Sequence, residues 1–393
     1  MNKTDTSAAL TLLLGILVAL SALGTDLYVP AMPDAAASFA APVSATQFTL
    51  TAYFIGLAVG QLVWGPLSDR YGRRPVLIAA LGMMLAITAA APYSPSIGAL
   101  ALLRLAQGVA MSGGVVVARS IVRDLHAHEQ AARLLARMMI VFSVVPIGAP
   151  VLGAALTAGF GWRAVFWAFA AVAVGLLAAV SLGLRETAPA ERRSAHPSEI
   201  ARTLGGILAE RRFVSPLLLL LSCQAGILSW VASSSFTLTH AGVSIQAYGW
   251  MFAGVMLGQI AGAWVASRFV LRLGSARLLH AGAWLVLCGG LAVAALSWAG
   301  VAHWMALVAP FCVLLFGTAL ILPSATSMAL SPFPQAAGSA SSLIGAVGFT
   351  SGAILSTILG MTFDGTSRPM ASTAALAGVC AFTFERMLAR GKA

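Results

Sequence analysis

The stretch Gly65-Pro66-Leu67-Ser68-Asp69-Arg70-Tyr71-Gly72-Arg73-Arg74-Pro75 lies between two long apolar runs. Gly65 and Gly72 permit close packing and a tight turn. Asp69 is placed to meet a helix N-terminus or an arginine, and the three arginines anchor the loop at one membrane face. The rest of the chain agrees with a loop joining two membrane spans. Of 393 residues, 59% are hydrophobic and only 9% charged, where soluble proteins carry about a quarter charged residues. So few polar groups cannot cover a water-facing surface. A soluble enzyme, a DNA-binding protein and a disulfide scaffold are therefore poor fits. A bilayer-crossing helix needs about 20 apolar residues, which leaves room for roughly twelve spans.

Working outward from the loop, apolar runs and their punctuation predict helical spans near 8–30, 44–67, 74–92, 97–120, 131–157, 162–184, 213–239, 244–272, 275–298, 302–327, 335–361 and 369–387. The predicted fold is an all-α polytopic membrane protein, since a closed barrel would show alternating strands of about ten residues. The first run follows Lys3 and resembles a signal peptide, with Ala35 and Ala37 as a cleavage site. It is longer than the usual apolar region of such a signal and is read as a retained helix. Cys223, Cys288, Cys312 and Cys380 stand alone in apolar runs, without metal or redox spacing. They are read as apolar fillers.

The formal charge of +11 comes from 23 basic and 12 acidic residues. With the N-terminus in the cytoplasm, the cytoplasmic side holds Lys3, Arg70, Arg73, Arg74, Arg119, Arg123, Arg133, Arg137, Arg185, Arg192, Arg193, Arg202, Arg211, Arg212, Arg268, Arg272, Arg277, Arg386, Arg390 and Lys392. Only Arg163 and Arg368 fall outside, with Arg104 inside a span. This asymmetry predicts both termini in the cytoplasm and accounts for the basic excess without nucleic acid. Residues 185–212 hold ten of the charged residues and read as a solvated linker, with Ile200 to Leu208 able to form a short amphipathic helix. The linker divides the spans into two six-helix bundles, 1–184 and 213–393. Arg70-Tyr71-Gly72 matches Arg272-Leu273-Gly274, and Gln130-Ala131-Ala132 matches Gln335-Ala336-Ala337, at nearly one offset. Two such matches in equivalent loops point to duplicated halves.

The 65–75 loop resembles the GxLxDRxGRR loop of the major facilitator superfamily. Leu103-Arg104-Leu105-Ala106-Gln107-Gly108 resembles the RxxQG element of proton-coupled drug exporters in that superfamily. Pro146-Ile147-Gly148-Ala149-Pro150-Val151-Leu152-Gly153-Ala154 is similar to their GPxxGG antiporter element, with Ala149 and Ala154 in place of glycines. Gly24-Thr25-Asp26-Leu27-Tyr28-Val29-Pro30-Ala31-Met32-Pro33 resembles the DxYxPxxP helix of the bicyclomycin and chloramphenicol exporters, the Bcr/CflA group, and Arg119-Ser-Ile-Val-Arg123-Asp124 also fits it. The resemblance implies twelve helices in two pseudo-symmetric halves. It further implies a cytoplasmic gate at Gly65, Asp69, Arg70, Gly72, Arg73, Arg74, Arg119, Arg123 and Asp124, and an antiporter helix marked by Pro146, Gly148, Pro150 and Gly153. Gly254, Gly258 and Gly262, spaced by four, form a small-residue stripe; spans 5 and 8 are expected to pack through it.

Asp26 is the only acid well inside a span, and Arg104 lies seven residues, about 10 Å, inward from Ile97. An isolated carboxylate away from water favours its neutral form, so a carboxyl wetted alternately from two sides carries protons. Asp26 and Arg104 are the expected proton-coupling residues, with a fixed Asp26–Arg104 ion pair as the structural alternative. Asp34 is expected at the solvated outer end. A mostly apolar drug cavity is expected to draw on Asp26, Tyr53, Gln61, Met111, Met138, Phe142, Gln224, Trp230, Phe236 and Gln259, since aromatic and methionine surfaces repack around different ligands. The function predicted is proton-coupled export of small, mostly apolar drugs such as chloramphenicol, florfenicol or bicyclomycin, from the bacterial inner membrane. A same-fold exporter or importer of an amino acid, sugar or small peptide is the alternative. The expected partners are drug, protons and lipid; the chain is expected to act as a monomer, without nucleic acid, metal or cofactor beyond the coupling proton. No HExxH, Gly-x-Ser-Gly or GxxxxGK[ST] occurs, and His126 and His128 read as loop polars. An intramembrane enzyme and an ATP-driven pump therefore lack support.

Overall fold

A computed structural model describes residues 8–125, 128–188, 197–301, 303–333 and 336–390. Among them the secondary structure is helical, without a strand. The helices are α1 (Ala8–Asp26), α2 (Met32–Ser38), α3 (Val43–Tyr71), α4 (Arg73–Ala90), α5 (Ile97–Leu125), α6 (His128–Phe160), α7 (Arg163–Gly183), α8 (Pro197–Ala209), α9 (Arg211–His240), α10 (Ile245–Leu273), α11 (Ser275–Trp298), α12 (Met305–Leu330), α13 (Ala337–Thr362) and α14 (Arg368–Arg390). Eleven spans among the described residues are long and apolar enough to cross a bilayer. The twelfth expected span is α14, long enough at 23 residues but less apolar because it carries Glu385 and Arg386. It packs as closely as the others: a Cβ on Gly378 would meet the Val286 carbonyl oxygen of α11 at 2.8 Å. Glu385 is buried and takes a hydrogen bond from the half-exposed His280 at 3.3 Å, which also ties α14 to α11.

Expected and observed helix limits agree to within a few residues, except in three places. The first apolar run is one expected span but two helices. Pro30 has no N–H to continue the ladder; a 3-10 turn at Val29–Ala31 interrupts it, and Pro33 starts the next segment, α2. Several helices continue beyond the apolar stretch, α3 to Tyr71 and α5 to Leu125, because Asp, Arg and Ser are tolerated in a helix once it leaves lipid. The linker is more than a solvated connection. Pro197, suited to a first helical position, opens α8, and Ile207 is buried with Phe213, Leu217, Ala340 and Leu343 against α9 and α13. Arg192 and Arg193 of the linker, the terminal Lys3 and Lys392, His126, and Gln335 of the internal match lie outside the described residues.

Backbone approach between helices is set by missing side chains. A Cβ on Gly56 would overlap the Leu105 carbonyl, and one on Gly108 the Tyr53 carbonyl, so α3 and α5 cross in near-backbone contact. Helices α1, α3, α4, α5, α6 and α7 pack among themselves, as do α9 to α14. Two seams join these groups: α3 against α13, and α6 against α10. On the first, Thr357 Oγ1 donates to Thr51 Oγ1 at 3.2 Å and Phe54 stacks on Phe349 with centroids 6.4 Å apart; beside it, Gln47 Nε2 of α3 donates to the Ala232 carbonyl of α9 at 3.0 Å. Apolar side chains such as Leu102, Leu182 and Ile140 face outward, as lipid contact requires.

Candidate functional site

The break in α1 creates the first site. Tyr28 N–H donates to Thr25 O rather than one residue further back, at 3.0 Å. This 3-10 tightening frees the Gly24 carbonyl, which accepts from Arg104 Nη2 at 2.8 Å. Arg104 Nη1 donates to Gln107 Oε1 at 2.5 Å, one helical turn along α5. The guanidinium lies 4.3 Å from the ring centroid of Tyr28 and 4.2 Å from that of Tyr53. It is thus sandwiched between two aromatic faces, a favourable placement for a desolvated cation. Arg104 is fully buried, at 0% exposure.

The flanking tyrosines are held in turn. Tyr28 and Thr49 share a hydrogen bond of 2.8 Å, and Tyr53 OH donates to the Ser21 carbonyl at 3.0 Å. Gly24 leaves room for that phenol, since a Cβ there would overlap the Tyr53 hydroxyl and meet Met111 Sδ at 2.8 Å. The RxxQG element is therefore one packing unit: Arg104 and Gln107 bond each other, and Gly108 admits the α3 backbone.

Asp26, the last residue of α1, keeps 6% exposure where Arg104 has none. Its Oδ1 accepts from Thr25 Oγ1 at 2.9 Å. Among the described residues it belongs to no ion pair, so the expected alternative of a fixed Asp26–Arg104 bridge is not what the structure holds. Arg104 is held instead by a backbone carbonyl, an amide and two ring faces, with its buried Nε unbonded. The Val29–Ala31 turn that follows Asp26 lies against α6 and also against α9 and α10, where Ser234 and Tyr248 share a 2.9 Å hydrogen bond. The carboxyl therefore sits beside the seam between the two helix groups.

The antiporter-like stretch of α6 lies against this break. A Cβ on Gly153 would overlap the Leu27 carbonyl oxygen and meet the Leu27 carbonyl carbon at 3.0 Å. Gly148 has open space around it. Pro146 and Pro150 are both within the helix. Where the resembling element has a further glycine, Ala154 meets Gly249 of α10, with 2.8 Å to a Cβ placed there. The α6–α10 contact expected from the sequence is present, but the stripe assigned to it is not what makes it. Gly258 and Gly262 face the Cys312 and Phe316 carbonyls of α12, and Gly254 faces open space. Gly249, outside the stripe, makes the contact.

The 65–75 loop forms the second site. Arg73 is buried and donates through Nε to Asp124 Oδ2 at 2.8 Å, and through Nη1 to Ser68 Oγ at 2.8 Å and to Asp69. Asp69 thus meets an arginine. Gly72 has φ +99°, a conformation that favours glycine. Gly274, its partner in the internal match, has φ +79°, and the two ψ values are 156° and 153°. Gly65 has ordinary room, with Val116 at 3.8 Å, so close packing does not require it. Arg70 lies over the Tyr71 ring, Arg74 Nη2 donates to the Ser181 carbonyl at 2.7 Å, and Arg123 Nη2 donates to Ser120 Oγ at 3.0 Å. Arg123 also lies against Gly338 of α13, bringing α5 to the second helix group. Arg119 is half-buried one turn before Arg123.

Glu186 is the member of this site that sequence reading missed. Its carboxylate accepts the Arg73 amide at 2.8 Å and the Arg74 amide at 3.1 Å, capping the start of α4. Partial burial works against its charged form. Even so, the Ala188, Arg73, Arg74 and Thr187 amides hold its carboxyl below the usual range. Nothing local marks this role, because the two α4 amides it caps lie 112 and 113 residues away. Asp34 was missed similarly: expected in solvent, it is half-buried and accepts the Trp162 amide at 2.8 Å, at the start of α7.

The candidate drug-contacting residues divide. Tyr53, Met111 and Met138 are buried, the first two on the Arg104 clamp. Gln61 is buried beside Gly345 of α13, on the first seam. Phe142, Gln224 and Gln259 are half-buried. Trp230 is enclosed between Phe252 and Phe311, at 6.1 and 5.0 Å between centroids, and Phe236 packs on Phe363 at 6.2 Å. These last two are core contacts within the second helix group. All four cysteines are free, and no group of metal-ligating residues occurs among the described residues.

Known proteins share this architecture. Residues 14–357 match the Major Facilitator Superfamily. An MFS-type transporter of Bacillus subtilis is 31% identical over 370 residues, 92% of this chain and 90% of that protein. A bicyclomycin resistance protein homolog of Haemophilus influenzae is 29% identical over 386 residues, 95% and 94% of the two chains. A chloramphenicol resistance protein of Pseudomonas aeruginosa is 28% identical over 363 residues, 88% and 82%. The xylose transporter XylE of E. coli, in a partially occluded inward open conformation, shares the fold with a TM-score of 0.75 at 14% identity, over 97% of this chain and 98% of that one. Their names agree with the resemblance carried by Asp26, Tyr28 and Pro30, and the chain belongs to the Major Facilitator Superfamily, as a multi-pass membrane transporter and not an enzyme.

Proposed function

We propose that the chain exports small, mostly apolar drugs of the phenicol or bicyclomycin kind in exchange for protons, by alternating access. The observation that carries this reading is Asp26: a membrane-embedded carboxyl in no ion pair among the described residues, beside the seam between two helix groups, while Arg104 bonds to the Gly24 carbonyl and Gln107 instead. When the cavity opens outward, Asp26 takes a proton and drug leaves. When it opens inward, Asp26 releases the proton and drug binds. One charge crossing the membrane supplies about 2.3 kcal/mol per 100 mV. One carboxyl gives one proton per cycle, which makes exchange with an uncharged drug electrogenic.

The arrangement is two six-helix halves, 1–184 and 213–393, joined by 185–212 and working as a monomer. The matching turns at Gly72 and Gly274 and the two packing groups support this division. The arginine-rich end faces the cytoplasm of a bacterial inner membrane, with both termini there, in line with 20 of 23 basic residues lying on that side. The Arg73–Asp69–Asp124 network and Arg123 against Gly338 form the cytoplasmic gate, and Tyr53, Met111, Gln61, Phe142, Gln224 and Gln259 supply the drug contacts. A drug-susceptibility panel in a pump-deficient bacterium, comparing wild type with Asp26→Asn, tests the assignment. Resistance to a phenicol or bicyclomycin lost in the variant is expected. Resistance to nothing, with uptake of an amino acid or sugar, overturns it.

A further inference from the structure

Thr25 precedes Asp26 and is buried with it at the break in α1. Its hydroxyl oxygen lies 2.8 Å from the Ala22 carbonyl oxygen and 2.9 Å from Asp26 Oδ1. A threonine hydroxyl has one hydrogen and two lone pairs, so it serves one of these acceptors at a time. Thr157 of α6 turns back to the Gly153 carbonyl in the ordinary way of a helical threonine; Thr25 has a carboxyl as its second acceptor. The backbone on both sides of this hydroxyl is tied. Arg104 Nη2 holds the Gly24 carbonyl, and the Tyr28 amide donates to the Thr25 carbonyl. Among the described residues no other side chain bonds to the Asp26 carboxyl.

The charged and titratable groups around this turn are Arg104 on α5, Tyr28, Tyr53 on α3 and Tyr248 on α10. The three phenols bond to Thr49, the Ser21 carbonyl and Ser234, and Arg163 of α7 turns to the Pro92 carbonyl. Residues 140–160 of α6 and 225–239 of α9 carry no titratable side chain. We propose that Thr25 is a positioning residue for proton exchange: its one hydroxyl hydrogen turns to Asp26 when the carboxyl is charged and to the Ala22 carbonyl when it is protonated. This rests on Asp26 as the proton carrier. A proton from water reaching the cavity forms the new O–H bond on Asp26. That O–H donates to Thr25 Oγ1, and the threonine hydrogen rotates to Ala22 without any covalent bond breaking. The carboxyl thus keeps a partner in both states. The bond to the charged form is the stronger of the two, so the hydroxyl sets the pH at which Asp26 exchanges its proton.

Infrared titration of purified full-length protein in nanodiscs follows the carbonyl band of protonated carboxyls against pH, and the part lost in Asp26→Asn belongs to Asp26. Thr25→Val and Thr25→Ala remove the hydroxyl in two ways, one keeping the shape of the side chain and one shortening it. Either should raise the midpoint of the Asp26 band by roughly one pH unit, as loss of the stronger bond implies. Thr25→Ser keeps the hydroxyl and should keep the wild-type midpoint. An unmoved midpoint in Thr25→Val and Thr25→Ala, with the Asp26 band still titrating, overturns the role of Thr25 and leaves the proton exchange standing. A shift in Thr25→Ser as large as that in Thr25→Val also overturns it, because the hydroxyl would then not be the cause. If Asp26→Asn removes no titrating band, Asp26 exchanges no proton and both proposals fall.

Discussion

Two glycines of one α6 stretch should respond oppositely to the same substitution. A Cβ on Gly153 would overlap the Leu27 carbonyl oxygen and stand 3.0 Å from its carbon and 3.2 Å from the Leu27 Cα. All three atoms are backbone at the break in α1, so no side chain can swing aside. Gly153→Ala must push α6 away from that break, and overpacking of this kind costs about 1–3 kcal/mol. The better helix propensity of alanine returns roughly 0.8–1 kcal/mol, leaving a net loss of up to about 2 kcal/mol. Gly148 meets nothing within 4 Å, so Gly148→Ala keeps only the gain. The two variants should differ by about 1–3 kcal/mol, or roughly 1–4 °C in the melting temperature of a chain this size. Thermal unfolding of the purified proteins, followed by tryptophan fluorescence, reads the difference. Transport should fall in Gly153→Ala and persist in Gly148→Ala. Equal melting temperatures, or a less stable Gly148→Ala, would refute the claim that α6 rides on the broken α1.

Other expectations concern the two charge sites. Arg104→Lys keeps the charge, but a compact ammonium cannot hold the Gly24 carbonyl and the Gln107 amide while filling both ring faces; drug export should fall at least about tenfold with normal membrane insertion. Arg73→Ala leaves Asp124, which is largely buried, without its cation, and should cost about 3 kcal/mol, read as lower yield and melting temperature. Glu186→Gln should cost under about 1 kcal/mol, because Glu186 is mostly exposed and its cap is screened. The sign with pH follows from its lowered titration. The stabilisation is complete above the ordinary carboxylate range and fades as acid protonates Glu186, so stability–pH curves of wild type and variant should converge at low pH.

The spans were legible because a bilayer imposes a length of apolar sequence that little else imitates. The loop arginines and Asp69 were legible for the same reason: charge is scarce, and its placement is informative. The partners of those charges were not. Arg104 looked like a partner for Asp26 because opposite charges in one membrane half suggest a bridge. The guanidinium instead takes a carbonyl that is free only because α1 breaks, and the break follows from Pro30 in a run whose apolar character suggests one continuous helix. The glycine stripe on α10 shows the same limit. Its spacing says that one face is small, yet not whether α6 or α12 fills it. Glu186 caps α4 across more than a hundred residues, a relation that spacing cannot encode.

The proposed exchange stands or falls with Asp26 as carrier of the coupling proton. The direct measurement is drug export from liposomes driven by an imposed pH gradient, with purified wild type and Asp26→Asn compared at matched insertion and melting temperature. Wild type should export drug under the imposed gradient, and Asp26→Asn should export none while still binding it. Undiminished gradient-driven export by Asp26→Asn would contradict it.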